Sequence, residues 1–323
     1  MTRVWCSDAA RRRGDDNIGS ASRIDVWILV ELPVTWGRNP IHDAVLPPEV
    51  RDALKRASAD IPRSRLVFIK KRTECLGPTR VYIVRSAPKV STLTLDLESI
   101  NEVANVPFAH IVTHHNAQHL ECGSASCRSP LPQRQLRLAQ SRAAAGAAAL
   151  QTPLVLVCTH GQHDSCCGRR GYPLFDALRQ HDGLDLWQCS HIGGDRFAAN
   201  AVVLPWGLYY GPVEPRDAQA LAGSIAREEI LLPSYRGRCT MSRPVQAAET
   251  FIRRQTRILG RDALRFVSRE ALDEEQIRVR FRELSGTVHE ATIERYIVHD
   301  AARLTCTAMH DDPIPSFRLV KYR

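Results

Sequence analysis

The first sustained apolar run, IDVWILVE (Ile24 to Glu31), has the length and β-branched content of a strand, and LPVTWGRNPI breaks it with Pro, Trp and Gly. In LPPEVRDALKRAS, Pro48 stands near a first helical turn, and Val50, Leu54 and Ala57 recur at helical spacing. This predicts a helix with one buried face. SRLVFIKK, RVYIVRS and STLTLDL read as three further strands. The β-α-β-β-β order then leads into RQLRLAQSRAAAGAAAL, an Ala-rich helix or helical linker ending near Leu150.

PLVLVC opens a second unit as a strand buried on both faces. PLFDALRQH is expected as a short helix, LDLWQCSH as a second strand, FAANAVVLP and LYYG as a hairpin across Trp206-Gly207, and EPRDAQALAGSIAREE as a closing helix. That β-α-β-β-β-α order is the one expected of a thioredoxin-like module. The first unit could be a degenerate copy of it, although no residue motif repeats. From about Ser242 the pattern changes: PVQAAETFIRRQTRIL is an amphipathic helix, and IRVRFREL, TVHEATIERYIVH and RLTCTAM alternate like antiparallel strands. The expected fold class is α/β in three domains. These are an N-terminal α/β domain over 1–150, a thioredoxin-like domain over 151–240, and a small α+β C-terminal domain over 241–323 that packs or docks a partner.

Composition narrows the class. With 44% hydrophobic and 24% charged residues in 323, the chain reads as an ordinary soluble globular protein. MTRVWCSDAARRRGDDN lacks the apolar core of a signal peptide, and no run reaches the roughly 18 apolar residues of a membrane span. A cytoplasmic protein is expected, with no membrane contact. The net charge of +9 suits an acidic partner or ligand. Nucleic acid is not expected, because no compact basic run with interleaved aromatics occurs. In a reducing compartment the ten cysteines point to metal or redox chemistry rather than structural disulfides. Cys6, Cys75, Cys239 and Cys306 stand singly and are read as buried thiols acting as small hydrophobes.

Two loops at the ends of neighbouring strands carry the chemistry: CTHGQHDSCCG after the first strand of the second unit and CSHIGGDRFAAN after the second. The carboxyl ends of parallel strands form the crevice where ligands bind in open α/β sheets. Cys158, Cys166, Cys167, Cys189, His160, His163, His191 and Asp195 are thereby expected in one neighbourhood. His160 and His163 are read as bonding the loop backbone, Arg169 and Arg170 as a solvated face or a counter-charge, and Trp187 and Trp206 as core. Gly193 and Gly194 could form an anion-binding nest with Arg196, but the upstream Cys and His favour a ligand loop. ECGSASC, with Cys122 and Cys127, could form a zinc half-site with the nearby THHN.

CTHGQHDSCCGRRG followed by CSHIGGDRFAANAVVLPWGLYYG resembles the sucrase/ferredoxin-like family, and GSASRIDVWILVELPVTWG and PVQAAETFIRR extend the likeness over nearly the whole chain. The resemblance implies a thioredoxin-like ferredoxin module with a [2Fe-2S] cluster held by two cysteines of the first loop and a His-x-x-x-His pair. Carried over, it assigns Cys158, Cys167 and His191 as cluster ligands. Asp195 stands where the second histidine would be, so the fourth ligand is Asp195 by position, with Cys166 or Cys189 as alternatives. The expected function is single-electron transfer between a reductase and an acceptor with an acidic surface, rather than catalysis of bond chemistry. The rival readings are a thiol–disulfide enzyme using Cys166-Cys167 or Cys158, and a zinc-stabilised interaction module on Cys158, Cys167, Cys189 and His191. No carboxylate pair at glycosidase spacing supports the sucrase half of the family's name.

Overall fold

The computed structural model describes residues 4–71, 78–114 and 152–323. Strand β1 (Val26–Glu31) runs parallel to β2 (Ser64–Lys70), with Val26 opposite Ser64, and helix α2 (Pro48–Asp60) makes the crossover. Val50, Ala53, Leu54 and Ala57 are its buried residues, and Pro48 starts it where its missing N–H costs nothing. Antiparallel β3 (Thr79–Arg85) and β4 (Ser91–Leu97) follow on the other side of β1.

The pattern recurs. Strand β5 (Leu154–Cys158) is parallel to β6 (Asp185–Cys189), and antiparallel β7 (Ala201–Leu204), β8 (Leu208–Tyr210) and β9 (Tyr235–Arg238) extend from β5. This β-α-β-β-β arrangement is the order expected of a thioredoxin-like module. β2 and β6 pair antiparallel at Ile69–Cys189, so both halves share one nine-stranded sheet ordered β4-β3-β1-β2-β6-β5-β7-β8-β9.

That sheet is not flat. Trp27 of β1 and Tyr209 of β8 are five strands apart, about 24 Å along a flat sheet, yet their ring centroids lie 6.0 Å apart. The halves fold face to face over a shared core of Trp27, Leu29, Tyr82, Leu156, Trp187 and Tyr209. Helix α2 covers the outer face of one half, and α4 (Ser165–Leu178) and α5 (Ala218–Ala226) that of the other.

The C-terminal part is a helix, α6 (Arg243–Thr256), on a four-stranded antiparallel sheet of β10 (Leu264–Ala271), β11 (Gln276–Glu283), β12 (Val288–Ala302) and β13 (Asp312–Tyr322). Val245, Ala248 and Ile252 meet Val279, Phe281, Ile293 and Phe317 in its core. RLTCTAM is a loop rather than a strand, and the last strand comes after it. The N-terminal segment carries a helix that the apolar pattern does not predict, α1 (Cys6–Arg13). In the first half, α3 (Phe108–His114) precedes the segment that holds the expected Ala-rich helix and the Cys122/Cys127 half-site. Both of those, like Cys75, lie outside the described residues. No helix among the described residues is long and apolar enough to cross a membrane.

Candidate metal centre

Cys158 and Cys189 end β5 and β6 as register partners, so the two loops leave the sheet side by side. The first loop is shorter than its sequence suggests. Asp164 caps a helix by accepting the Cys166 N–H at 2.8 Å, so Cys166 and Cys167 occupy the first turn of α4. Gly171 lets that helix lie against β5, since a Cβ there would overlap the Cys158 carbonyl oxygen.

Cys158, Cys167 and His191 offer donor atoms that all lie within 4.8 Å of one another. Asp195 Oδ1 accepts from Cys167 Sγ at 3.2 Å and lies 3.1 Å from His191 Nδ1. That nitrogen is buried and faces the carboxylate as an ion pair. Cys158 and Cys167 are fully buried, whereas the His191 side chain is 20% exposed, the donor of this set nearest solvent. Cys167, Cys189 and His191 all donate to the Cys158 sulfur, which outweighs burial and pulls its pKa well below the usual thiol value. Burial opposes a charge on His191, but the Asp195 carboxylate and the Cys158 sulfur beside it raise its pKa to about 9. The site thus favours an anionic Cys158 sulfur, whereas that neighbouring sulfur and burial push the Cys167 and Cys189 thiols up. A buried imidazole among two sulfurs and a carboxylate fits a metal centre, and four ligands are what an iron–sulfur cluster requires.

Of the alternative ligands, Cys189 is fully buried beside Cys158 on the neighbouring strand. Cys166 is turned away, with its Sγ 3.6 Å from Cys6 Sγ and 3.4 Å from Cys306 Sγ. Cys6 and Cys306 are therefore not solitary thiols, whereas Cys239 is, buried among apolar neighbours. His160 bonds through both nitrogens: Nε2 donates to Gly37 O at 2.7 Å, and Nδ1 accepts the His191 N–H at 3.2 Å. Neither nitrogen is left for a metal. His163 bonds Arg38 O at 3.2 Å and stacks on the His191 ring with centroids 3.9 Å apart. Arg169 and Arg170 both pair with Asp8 and pin α1. Trp187 is core, while Trp206 is partly buried beneath the Arg261 guanidinium.

The second loop is held by arginines that motif reasoning did not single out. Arg236, buried on β9, donates to Gly193 O at 3.1 Å, Asn200 Oδ1 at 2.7 Å and Ser20 O at 2.7 Å. Burial lowers its pKa to about 10, partly offset by Tyr209 and Asp195 beside it. Arg65 donates to His191 O at 3.0 Å. Gly193 and Gly194 have φ of +94° and +88°, and a Cβ on Gly194 would overlap Arg236. Arg236 thus packs against Gly194 and binds the loop through the Gly193 carbonyl.

The sucrase/ferredoxin-like family pattern matches residues 17–237, more than half of the chain. Altered inheritance of mitochondria protein 32 from Meyerozyma guilliermondii is 32% identical over 95 residues, covering 26% of this chain and 34% of that protein. The protein of the same name from Eremothecium gossypii is 32% identical over 99 residues, covering 26% and 32%. The chain spans about a third of the length of these relatives. Two solved structures of the thioredoxin-like [2Fe-2S] ferredoxin from Aquifex aeolicus are also similar. A cysteine-to-serine variant is 21% identical, covering 26% of this chain and 96% of that one, with a TM-score of 0.23. The other is 19% identical, covering 26% and 88%, also with a TM-score of 0.23. On the match over residues 17–237, this chain belongs to the sucrase/ferredoxin-like family.

Proposed function

We propose that this chain holds a [2Fe-2S] cluster on Cys158, Cys167, His191 and Asp195 and passes single electrons between a reductase and an acceptor. The observation that carries this reading is the convergence of two sulfurs, an imidazole and a carboxylate on the carboxyl ends of β5 and β6, with His191 alone near the surface. A cluster held there supplies one-electron oxidation and reduction, at a potential set by ligand identity, hydrogen bonding and exposure. The residues of the chain do the rest. Arg65 and Arg236 fix the His191–Asp195 loop through its carbonyls, and the buried guanidinium of Arg236 offsets the anionic donors. His160 orients the His191 backbone, and His163 lies across the imidazole.

Electrons would enter and leave at His191. A cleft of about 980 Å³ opens beside it, where Arg38, Lys55, Arg65 and His163 outnumber the acidic Asp43 in the lining. This basic wall suits an acidic partner face, whose association would weaken with added salt. Thiol exchange is disfavoured, because Cys158, Cys166, Cys167 and Cys189 are all buried and exchange needs an accessible thiolate.

The test is iron and sulfide analysis of anaerobically purified chain, with visible spectra before and after dithionite. The expected result is about two irons per chain and absorption that bleaches on reduction, both lost in Cys158→Ser. A colourless wild-type chain without iron would overturn the reading.

A further inference from the structure

We propose a second metal site, built from Cys6, Cys166, Cys306 and Asp164, that takes a single divalent ion of zinc type and fastens three parts of the chain together. The inference does not rest on the iron–sulfur reading. Cys6 begins α1, Asp164 and Cys166 flank the start of α4, and Cys306 lies in the loop between β12 and β13. Folding brings these residues together, and the four donor atoms all lie within 4.8 Å of one another.

The spacing identifies the occupant. The three sulfurs form a nearly equilateral triangle with edges of 3.6 Å (Cys6–Cys166), 3.4 Å (Cys166–Cys306) and 3.5 Å (Cys306–Cys6). A disulfide needs about 2.05 Å, so none of the three is bonded to another. Thiolates at about 2.3 Å around one tetrahedral ion lie about 3.8 Å apart, close to the edges seen. Both oxygens of Asp164 lie 3.8 Å from Cys6 Sγ, and the carboxylate offers a donor within 4.8 Å of all three sulfurs, in reach of the same ion.

The surroundings are those of metal ligands. Asp164 is oriented by two backbone donors, Cys166 N–H at 2.8 Å and Cys306 N–H at 2.6 Å. Ser7 Oγ donates to Cys166 Sγ at 3.2 Å, and the Cys6 N–H to Cys306 Sγ at 3.5 Å. Outer contacts of this kind fix ligand geometry. Cys6, Asp164 and Cys166 are almost wholly buried, so the donor set is closed, as in structural rather than catalytic zinc sites. Three thiolates and a carboxylate also favour zinc over magnesium or calcium. The vicinal pair is divided between two centres: Cys167 faces Cys158, Asp195 and His191, while Cys166 faces this site.

The test uses the full chain as purified and after incubation with zinc or cobalt(II), comparing wild type with Cys306→Ser and Cys158→Ser. Cys306 is only partly buried in a loop, so its serine variant is the mildest probe of the site. The expected result is one zinc per chain that Cys158→Ser retains and Cys306→Ser loses, with iron absorption unchanged in Cys306→Ser. Cobalt should give thiolate charge-transfer absorption that is absent in Cys306→Ser. Chelation should lower the unfolding midpoint of wild type but not of that variant. A wild-type chain that binds neither zinc nor cobalt would overturn the proposal. So would metal content and spectra unchanged in Cys306→Ser, or a disulfide among the three cysteines by mass mapping. None of these outcomes alters the iron readout, so the two proposals fail separately.

Discussion

His160 and His191 lie side by side and respond to their surroundings in opposite ways. Burial lowers the His160 pKa, and the Gly37 carbonyl only partly offsets it. His160 is therefore neutral in the fold but takes a proton in the unfolded chain below the usual histidine pKa of about 6.5. The unfolded state binds more protons in that window, so this contribution to stability is lost as pH falls. His160→Gln keeps a donor for Gly37 O and removes the titration. Urea midpoints of the two proteins should run parallel above pH 7, and wild type should lose ground to the variant toward pH 5. A constant difference across that range would refute the assignment. At this scale the sequence was informative where donors are contiguous. Cys158, Cys167, His191 and Asp195 fall in two short loops, and parallel pairing brings the loops together. Arg236 was hidden because it reaches the loop from β9, and an arginine in YRGRC gives no sign that it is buried. Cys6 and Cys306 were hidden for a similar reason: each looks solitary until the fold brings both to Cys166.

At the scale of elements, the seam between β5 and α4 decides whether the first two sulfurs can meet the second loop. Gly171 and Gly168 let the helix come close, Gly168 lying against Gly161. A methyl group on Gly171 would press on the Cys158 carbonyl. Gly171→Ala is expected to cost about 1–3 kcal/mol, as overpacking does, and to lower the metal content of the centre. Denaturant titration and metal analysis of the same sample check both, and a variant as stable as wild type would show that the seam can move. The glycines and arginines of CCGRRGY mask the helix start in the sequence, whereas the Asp164 cap and the close approach to β5 explain it. Two other elements were illegible for clear reasons. Strand β10 buries only Leu264, so no alternation shows. Strand β13 holds Pro313 and Pro315, which read as breaks but are tolerated at the edge of a sheet. RLTCTAM misleads in the opposite direction, being apolar enough for a strand while serving as a loop.

For the whole molecule, the α/β class and the thioredoxin-like order were readable from periodicity, because each strand of the halves is bounded by turn residues. The folding of one sheet onto itself was not. It depends on β2–β6 pairing and on Trp27 meeting Tyr209, contacts between segments far apart in sequence. The junction with the C-terminal part depends on a buried charge network of the same long-range kind. Arg253 donates to Glu249 Oε1 at 2.9 Å and to Ile258 O at 2.8 Å, and Tyr235 of β9 donates to Glu249 Oε2 at 3.0 Å. Both side chains of the ion pair are fully buried. Arg253→Met leaves Glu249 as an unpaired buried charge and should cost about 3–5 kcal/mol, read as a lower urea midpoint. A loss below about 1 kcal/mol, the range of a surface pair, would contradict the network.

Pulsed EPR of the dithionite-reduced chain would decide whether one redox cluster sits on the two strand-end loops. The expected result is an S = 1/2 signal with hyperfine coupling to a histidine nitrogen, a coupling that disappears in His191→Cys. A reduced sample with no S = 1/2 signal, or a nitrogen coupling that survives in His191→Cys, would contradict it.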